Sequence, residues 1–419
     1  MDVRHEAGVR QTYKLDTGAA HVGREYARTG VRMRILLTTD YYPPHYGGGA
    51  EATLPVVVHS LAQLGHSVEV ITLNTRNAKP VEERDGAVVH RVPTWPLERI
   101  LGLQFSFSPS LPLFVSRRVR QFRPDIIWAH NHFFTTSLAG HWASLGCGTP
   151  VLTDLSVADV GNLPRRQRMF ALGWEKTLSR WMLRRSVALT GVSQACIDHA
   201  KKLIGRKPVP VFVVPNGVNR SKFRPPNSPN QSVTVGFVGR LIQNKGPQRL
   251  VDAIPKVLAS HPSVRFVFIG DGPLKATLQS RVKVLGASHA VEFKGSITHE
   301  KMPDALRTLN IVVRPSDTEG LPVILLESMA TGIPVIATDV GGTREVLQHE
   351  VTGILLAPNP APHDISHAVN SLVGDRERLD RLGRTARKAS ERVDWRHCIG
   401  LREEVLLRFG KVGTNGRSH

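Results

Sequence analysis

Glu319-Gly-Leu-Pro-Val-Ile-Leu-Leu-Glu327-Ser-Met-Ala-Thr-Gly-Ile-Pro-Val-Ile-Ala337 is the stretch whose reading decides the fold. Between Leu321 and Ala337 the one charged residue is Glu327, set in an apolar run. A lone carboxylate on a helix buried all round is costly unless something meets it, either an arginine in a core salt bridge or a ligand. The local grammar places it. Ile311-Val-Val reads as a short strand, Pro315 to Leu321 as a polar turn, and Pro322 as the first helical residue. Thr331-Gly332 closes the helix and Pro334-Val-Ile-Ala starts the next strand. Glu319 then stands in the loop at the carboxyl end of a strand, and Glu327 about one and a half turns into the following helix. Open α/β sheets bind ligands at that end, so both carboxylates can face one crevice.

Working outward, the same alternation fills the chain. Arg34-Ile-Leu-Leu-Thr-Thr39, Val68 to Thr72, Asp125 to Trp128, Val151 to Thr153 and Ala188 to Thr190 read as strands, with helical stretches near 50–64, 114–122, 135–146 and 193–204. Val211-Phe-Val-Val214 leads to Pro215-Asn-Gly217 and a Pro/Asn/Ser-rich stretch, which marks a boundary near Gly217. A second series follows at 234–238, 264–269, 291–293, 311–313, 334–337 and 353–356. The expected fold is α/β: two facing Rossmann-like domains with a cleft between them. Residues 1–32 read as a disordered extension, 33–217 with 395–419 as an N-terminal acceptor-binding domain, and 218–394 as a C-terminal donor-binding domain. Met33, directly before the first strand, is an alternative start.

At 419 residues the chain is long enough for two cores, and its 41% hydrophobic content is that of an ordinary globular protein. No apolar run reaches the roughly 18 residues of a membrane span, and the first thirty residues lack a signal peptide's apolar segment. Three cysteines without a C-x-x-C pair argue against a disulfide framework and fit a reducing cytoplasm. The net charge of +20 is spread along the chain, with no basic tail and no RNP-like motif, so nucleic acid is not the expected partner. Gly161 to Arg185 is more specific: seven basic residues stand against Glu175 alone, a net of +6, interleaved with Phe170, Trp174, Trp181 and Met182. That is either a basic amphipathic helix for an anionic membrane surface or a solvated helix with its aromatics inward.

Two other clusters carry chemistry. Gly236-Phe-Val-Gly-Arg240 and Lys245-Gly-Pro put two cations five residues apart between a strand end and a helix start, a natural cradle for phosphate. In isolation they would be ordinary loop cations. Gly47-Gly48-Gly49 follows the first strand and opens a helix, letting backbone amides approach an anion. Pro124-Asp-Ile-Ile-Trp-Ala-His130-Asn-His132 ends a third strand. Its H-x-H also has zinc-ligand character, but no third ligand is evident from sequence.

Glu319 with Glu327, followed by Val340-Gly-Gly342 and Glu345, closely resembles the E-x7-E signature of glycosyltransferase family 4. The Arg240/Lys245 loop, the Gly48-Gly49 turn, the His130 segment, Gly191-Val-Ser193, Pro215-Asn-Gly217 and Gly270-Asp-Gly-Pro273 match further landmarks in order, over roughly residues 33 to 410. The resemblance implies the GT-B architecture, with the last helix returning to the first domain. It also implies transfer of a sugar from a nucleotide-diphospho-sugar to an acceptor hydroxyl, with retention of anomeric configuration. Glu319 and His130 would address the donor sugar, with His132 as the fallback histidine, and Arg240 and Lys245 the diphosphate. Glu327 would hold the ribose, with Gly48, Gly49, Gly320 and Leu321 completing the donor site. Position 128 departs from the family pattern with tryptophan, and Asp154-Leu-Ser departs from its T-x-H segment. No D-x-D occurs, so neither metal nor cofactor is expected. The acceptor is a glycan, a lipid-linked species or a small molecule, in cell-envelope, exopolysaccharide or glycolipid synthesis. A nucleotide-sugar epimerase of the same fold and a non-catalytic binding or scaffold protein are the alternatives; acceptor-dependent turnover separates them.

Overall fold

The computed structural model describes residues 30–45, 49–75, 77–96, 105–156, 165–227 and 232–411. Of the expected extension, residues 1–29 lie outside that set.

Among the described residues, ten strands come before the boundary: β1 (Arg34–Thr38), β2 (Ser67–Asn74), β3 (Val81–Arg84), β4 (Ala87–Pro93), β5 (Trp95–Pro96), β6 (Ser106–Phe107), β7 (Ile126–His130), β8 (Val151–Leu155), β9 (Ala188–Gly191) and β10 (Val211–Val213). Eight of them form one sheet in the order β10-β9-β8-β7-β1-β2-β4-β3, parallel except for β3. Its strands are apolar runs because both faces are covered. Ile35, Leu37, Val70 and Trp128 pack with Leu54, Val58 and Leu61 of helix Gly49–Gln63 on one face. Leu36, Ile71 and Ile127 pack with Val115 and Ala139 of helices Leu111–Phe122 and Thr135–Cys147 on the other. Each fully buried side chain of this size contributes about 1.5–3 kcal/mol.

The β3–β4 hairpin is not marked by the apolar pattern, because Val81-Glu-Glu-Arg84 is a polar edge strand. Its signal lies in the turn: Asp85 and Gly86 both take positive φ (56° and 76°), as a two-residue hairpin requires.

The second sheet holds β11 (Thr234–Val238), β12 (Arg265–Ile269), β13 (Val291–Gly295), β14 (Ile311–Arg314), β15 (Val335–Thr338) and β16 (Gly353–Leu356), all parallel, in the order β13-β12-β11-β14-β15-β16. Helix Val323–Thr331 ends at Gly332 in the left-handed conformation, φ 76°. Pro322 is its N-cap with ψ 118°, one position outside the helix it was expected to begin. The chain crosses between the sheets at Val218, which bridges to Asp394, and helix Trp395–Phe409 returns to the first sheet through Val405, Leu406 and Leu407.

In each sheet the order of strands reverses once, between β1 and β7 in the first and between β11 and β14 in the second. Loops leaving such neighbours diverge to opposite faces and leave a crevice at the carboxyl ends. The loops after β11 and β14 carry Arg240, Lys245, Glu319, Gly320 and Leu321, and His130 ends β7.

Candidate functional site

In the second sheet the loop after β11 carries Arg240 and Lys245, and the loop after β14 carries Glu319. The reversal makes them neighbours. Lys245 Nζ lies 2.8 Å from Glu319 Oε2. Arg314, the last residue of β14, donates to Glu319 Oε1 from Nε (3.1 Å) and Nη2 (2.9 Å), and Ser316 Oγ donates to the same oxygen at 2.8 Å. Burial pushes the Glu319 carboxyl up, but Lys245 and Arg314 outweigh it and hold the pKa at about 2. Burial also pulls the Lys245 ammonium down; Glu319 opposes this while Arg314 and Arg240 reinforce it. Lys245 is therefore a half-buried cation tied to one carboxylate, with the exposed Arg240 near enough to be felt. Arg314 was not foreseen, although an arginine inside the apolar strand Ile-Val-Val-Arg was a visible signal. Room for it comes from Gly239, φ 145°, where a Cβ would stand 2.2 Å from Arg314 Nη1.

Glu327 is buried, and it is met by His299, not by an arginine: the imidazole Nε2 is 2.8 Å from Glu327 Oε1. Burial raises the carboxyl's pKa, and the hydrogen bond to Glu327 raises that of His299. His299 sits in a short 3-10 turn before helix Met302–Arg307 and was not anticipated; nothing in its local pattern distinguishes it. Leu321 is buried in the apolar cluster that also holds Leu155, Val192 and Cys196 of the first domain, and its carbonyl accepts from Asn216 Nδ2 at 3.5 Å. Gly320 supplies backbone: its carbonyl accepts from Gly342 N at 2.8 Å.

In the first sheet His130 closes β7. Its Nδ1 is 3.3 Å from Asp154 Oδ2 on β8, and its Nε2 is buried without a hydrogen-bond partner among the described residues. A carboxylate only accepts, so Nδ1 carries a proton toward Asp154 and Nε2 is the ring nitrogen left for a ligand. Asp154 also accepts from Thr190 Oγ1 (2.8 Å) and pairs with Arg402 Nη1 (3.1 Å) from the returning helix. Burial raises the Asp154 carboxyl, but Arg402 and His130 outweigh it and keep it ionised. The neighbouring loop is fixed by Asp40, which accepts from Thr136 N (3.0 Å) and Oγ1 (2.8 Å). Gly49 is the first residue of helix Gly49–Gln63, while Gly48 lies outside the described residues.

The two crevices face each other across a close junction. A Cβ on Gly320 would stand 2.1 Å from the Ser156 carbonyl oxygen. Glu345 accepts from the backbone N–H of Gln194 (2.8 Å) and Ala195 (3.0 Å), at the start of helix Gln194–Ile204. The basic segment runs as helix Arg165–Trp174, a π turn at Glu175–Ser179 and helix Arg180–Arg185. Met182 is buried and Trp174 Nε1 donates to the His132 carbonyl, whereas Met169 is 66% and Phe170 37% exposed. Only part of the apolar side therefore turns inward.

Comparisons with known proteins bear on the family and the fold. The family model "Glycosyl transferases group 1" matches residues 218–389, and "Glycosyltransferase Family 4" matches residues 47–222. A phosphatidylinositol N-acetylglucosaminyltransferase from Arabidopsis thaliana is 28% identical, over 82% of this chain and 74% of that protein. A GDP-mannose-dependent alpha-mannosyltransferase of Mycolicibacterium smegmatis is 28% identical, over 90% and 98%. Among solved structures, Anabaena Alr3699/HepE in complex with UDP and glucose superposes with a TM-score of 0.72 at 21% identity, covering 90% of this chain and all of that one. The fold likeness is to GT-B glycosyltransferases.

Proposed function

The chain belongs to the group 1, family 4 glycosyltransferases, and from that premise we propose that it moves a hexose from a nucleotide-diphospho-sugar to an acceptor hydroxyl, retaining anomeric configuration and needing no metal on the diphosphate. The observation that carries the reading is the Lys245–Glu319–Arg314 group at the reversal of the second sheet, facing the reversal that carries His130. Sugar transfer develops negative charge on the departing nucleotide, and fixed cations placed there lower the barrier. Lys245 and Arg240 supply those cations in a chain that has no D-x-D to hold a bridging metal. Glu319 orients both Lys245 and the sugar hydroxyls, Glu327 accepts from the ribose, and His130 Nε2 hydrogen-bonds a sugar hydroxyl. Backbone amides at Gly49 and Gly320, together with Gly48 and Leu321, complete the donor site.

The relatives' acceptors and donors support a glycan, lipid-linked or small-molecule acceptor without choosing the donor base: one relative is named for phosphatidylinositol, another for GDP-mannose, and the structural neighbour holds UDP. No helix among the described residues is long and apolar enough to cross a membrane. We place the enzyme in the cytoplasm, against the anionic inner face of the cell membrane, through Arg165–Arg185; the exposed Met169 and Phe170 beside Arg165, Arg166 and Arg168 support that docking.

Calorimetric titration with UDP, GDP, ADP and their sugar conjugates tests the reading, with and without EDTA, on the wild type and Glu327→Ala. Binding of one nucleotide class, unchanged by EDTA and weakened in Glu327→Ala, supports it, as does donor consumption that requires added acceptor. Absence of binding by folded protein, or donor turnover without acceptor, overturns it.

A further inference from the structure

Two residues beyond His130, His132 is completely buried, and both of its ring nitrogens lack a hydrogen-bond partner among the described residues. Its backbone is firmly held: Trp174 Nε1 (3.0 Å) and Ser179 Oγ (3.2 Å) both donate to its carbonyl. The peptide of His132 is thus fixed in place, while its ring makes no hydrogen bond among the described residues. That ring faces Glu175, the single acid of the basic segment, which is 1% exposed. Glu175 Oε1 lies 3.8 Å from His132 Nε2 and 2.6 Å from His199 Nε2 on helix Gln194–Ile204. The three candidate ligand atoms all fall within 4.8 Å of one another. Glu175 also opens the π turn Glu175–Ser179; such turns insert a residue, re-aim the side chains around it and recur at functional sites.

We propose that His132, Glu175 and His199 bind one divalent transition cation of the zinc class. A hydrogen bond between Glu175 and His199 accounts for one imidazole only, because His132 at 3.8 Å is beyond hydrogen-bond reach. A cation between the three groups takes a lone pair from each imidazole and from the carboxylate. Zinc binds histidine nitrogen at about 2.0–2.1 Å and carboxylate oxygen at about 2.0–2.2 Å in tetrahedral geometry, which spaces ligand atoms roughly 3.4 Å apart. The 2.6 Å contact must open and the 3.8 Å contact must close, each by less than about an ångström. Two imidazoles and one carboxylate suit zinc, cobalt or ferrous ion, not magnesium or calcium, which take oxygen ligands. Water fills the fourth position. The H-x-H of the sequence contributes one ligand, His132, while His130 is turned away to Asp154.

The ion would tie the loop behind His130 to helix Gln194–Ile204, whose first amides hold Glu345 of the second domain. It would act as a structural pin at the domain junction, away from the donor diphosphate.

Full-length protein stripped with a chelator and titrated with Zn²⁺ and with Co²⁺ tests the assignment. One equivalent of metal per chain by mass spectrometry, a nitrogen/oxygen-type visible cobalt spectrum and a raised thermal midpoint are expected. Glu175→Gln and His199→Gln should each weaken binding by more than about 100-fold, beyond what loss of an outer-shell partner does, while Cys147→Ser binds as the wild type does. If Glu175→Gln fails to fold, His199→Gln, on a partly exposed position, carries the comparison. Absence of stoichiometric uptake by the wild type, a thiolate-type cobalt spectrum, or uptake unchanged in His199→Gln would overturn the site.

Discussion

Lys245 Nζ lies 2.8 Å from Glu319 Oε2, although 74 positions separate them in the chain. The contact spans the strand-order reversal, and with Arg314 it leaves one carboxylate facing two cations. Replacing Glu319 by glutamine should cost about 3 kcal/mol of stability at neutral pH, because the buried Arg314 and the half-buried Lys245 lose their counter-charge. The pH dependence has a definite sign. The folded pKa of about 2 lies below the unfolded carboxylate's roughly 4.3, so the stabilisation is present above about pH 4.3 and lost as pH falls toward 2. Urea unfolding of wild type and Glu319→Gln at about pH 7 and about pH 3 should show a gap that narrows in acid. A gap independent of pH would contradict the assignment.

The Glu327–His299 pair should behave in the opposite sense. The hydrogen bond to Glu327 raises the His299 pKa, so its stabilisation is complete below the unfolded value near 6.5 and is lost as pH rises through the folded value. Burial raises the Glu327 carboxyl as well, so its own contribution is lost as pH rises above the unfolded carboxylate's roughly 4.3. Thermal midpoints of wild type and His299→Gln should differ at about pH 6 and converge at about pH 9. With Glu327 in its proposed ribose-binding role, nucleotide affinity should weaken in His299→Gln, since that carboxylate loses its orienting partner.

Arg402 reaches His130 only through Asp154, pairing with its Oδ2 at 3.1 Å while lying over the Trp128 ring at 4.9 Å. It is a positioning residue. Arg402→Met should destabilise by about 3–5 kcal/mol, leaving a buried carboxylate short of charge. Asp154→Asn should weaken donor affinity and lower kcat about 100-fold through misalignment of the imidazole proposed to hold a sugar hydroxyl. Unchanged donor affinity and kcat would remove His130 from the donor site.

Gly320→Ala tests the junction. Its Cβ would meet the backbone carbonyl of Ser156 at 2.1 Å, a contact no rotamer change can relieve. The two domains should be pushed apart, visible as a larger radius of gyration by small-angle scattering, with kcat/KM reduced more than about 10-fold. Wild-type dimensions with full activity would mean the close approach is dispensable.

The sequence by itself determined the two series of strands and helices, because parallel strands covered on both faces must be apolar runs punctuated by glycine, proline and asparagine. It also marked the strand ends that carry Glu319, Arg240 and Lys245, since those are identifiable from where the apolar runs stop, whereas His130 was assigned through the family resemblance. The Asp85-Gly86 hairpin turn was legible but masked by its polar edge strand. What partners those residues was decided only by the tertiary structure. Arg314 against Glu319, His299 against Glu327, Arg402 behind Asp154 and Glu175 between two histidines are pairings set by strand order and helix return. Local periodicity records how far each side chain is buried, since that depends on its own segment. The group it meets there depends on which distant segment packs alongside, and no short-range pattern encodes that.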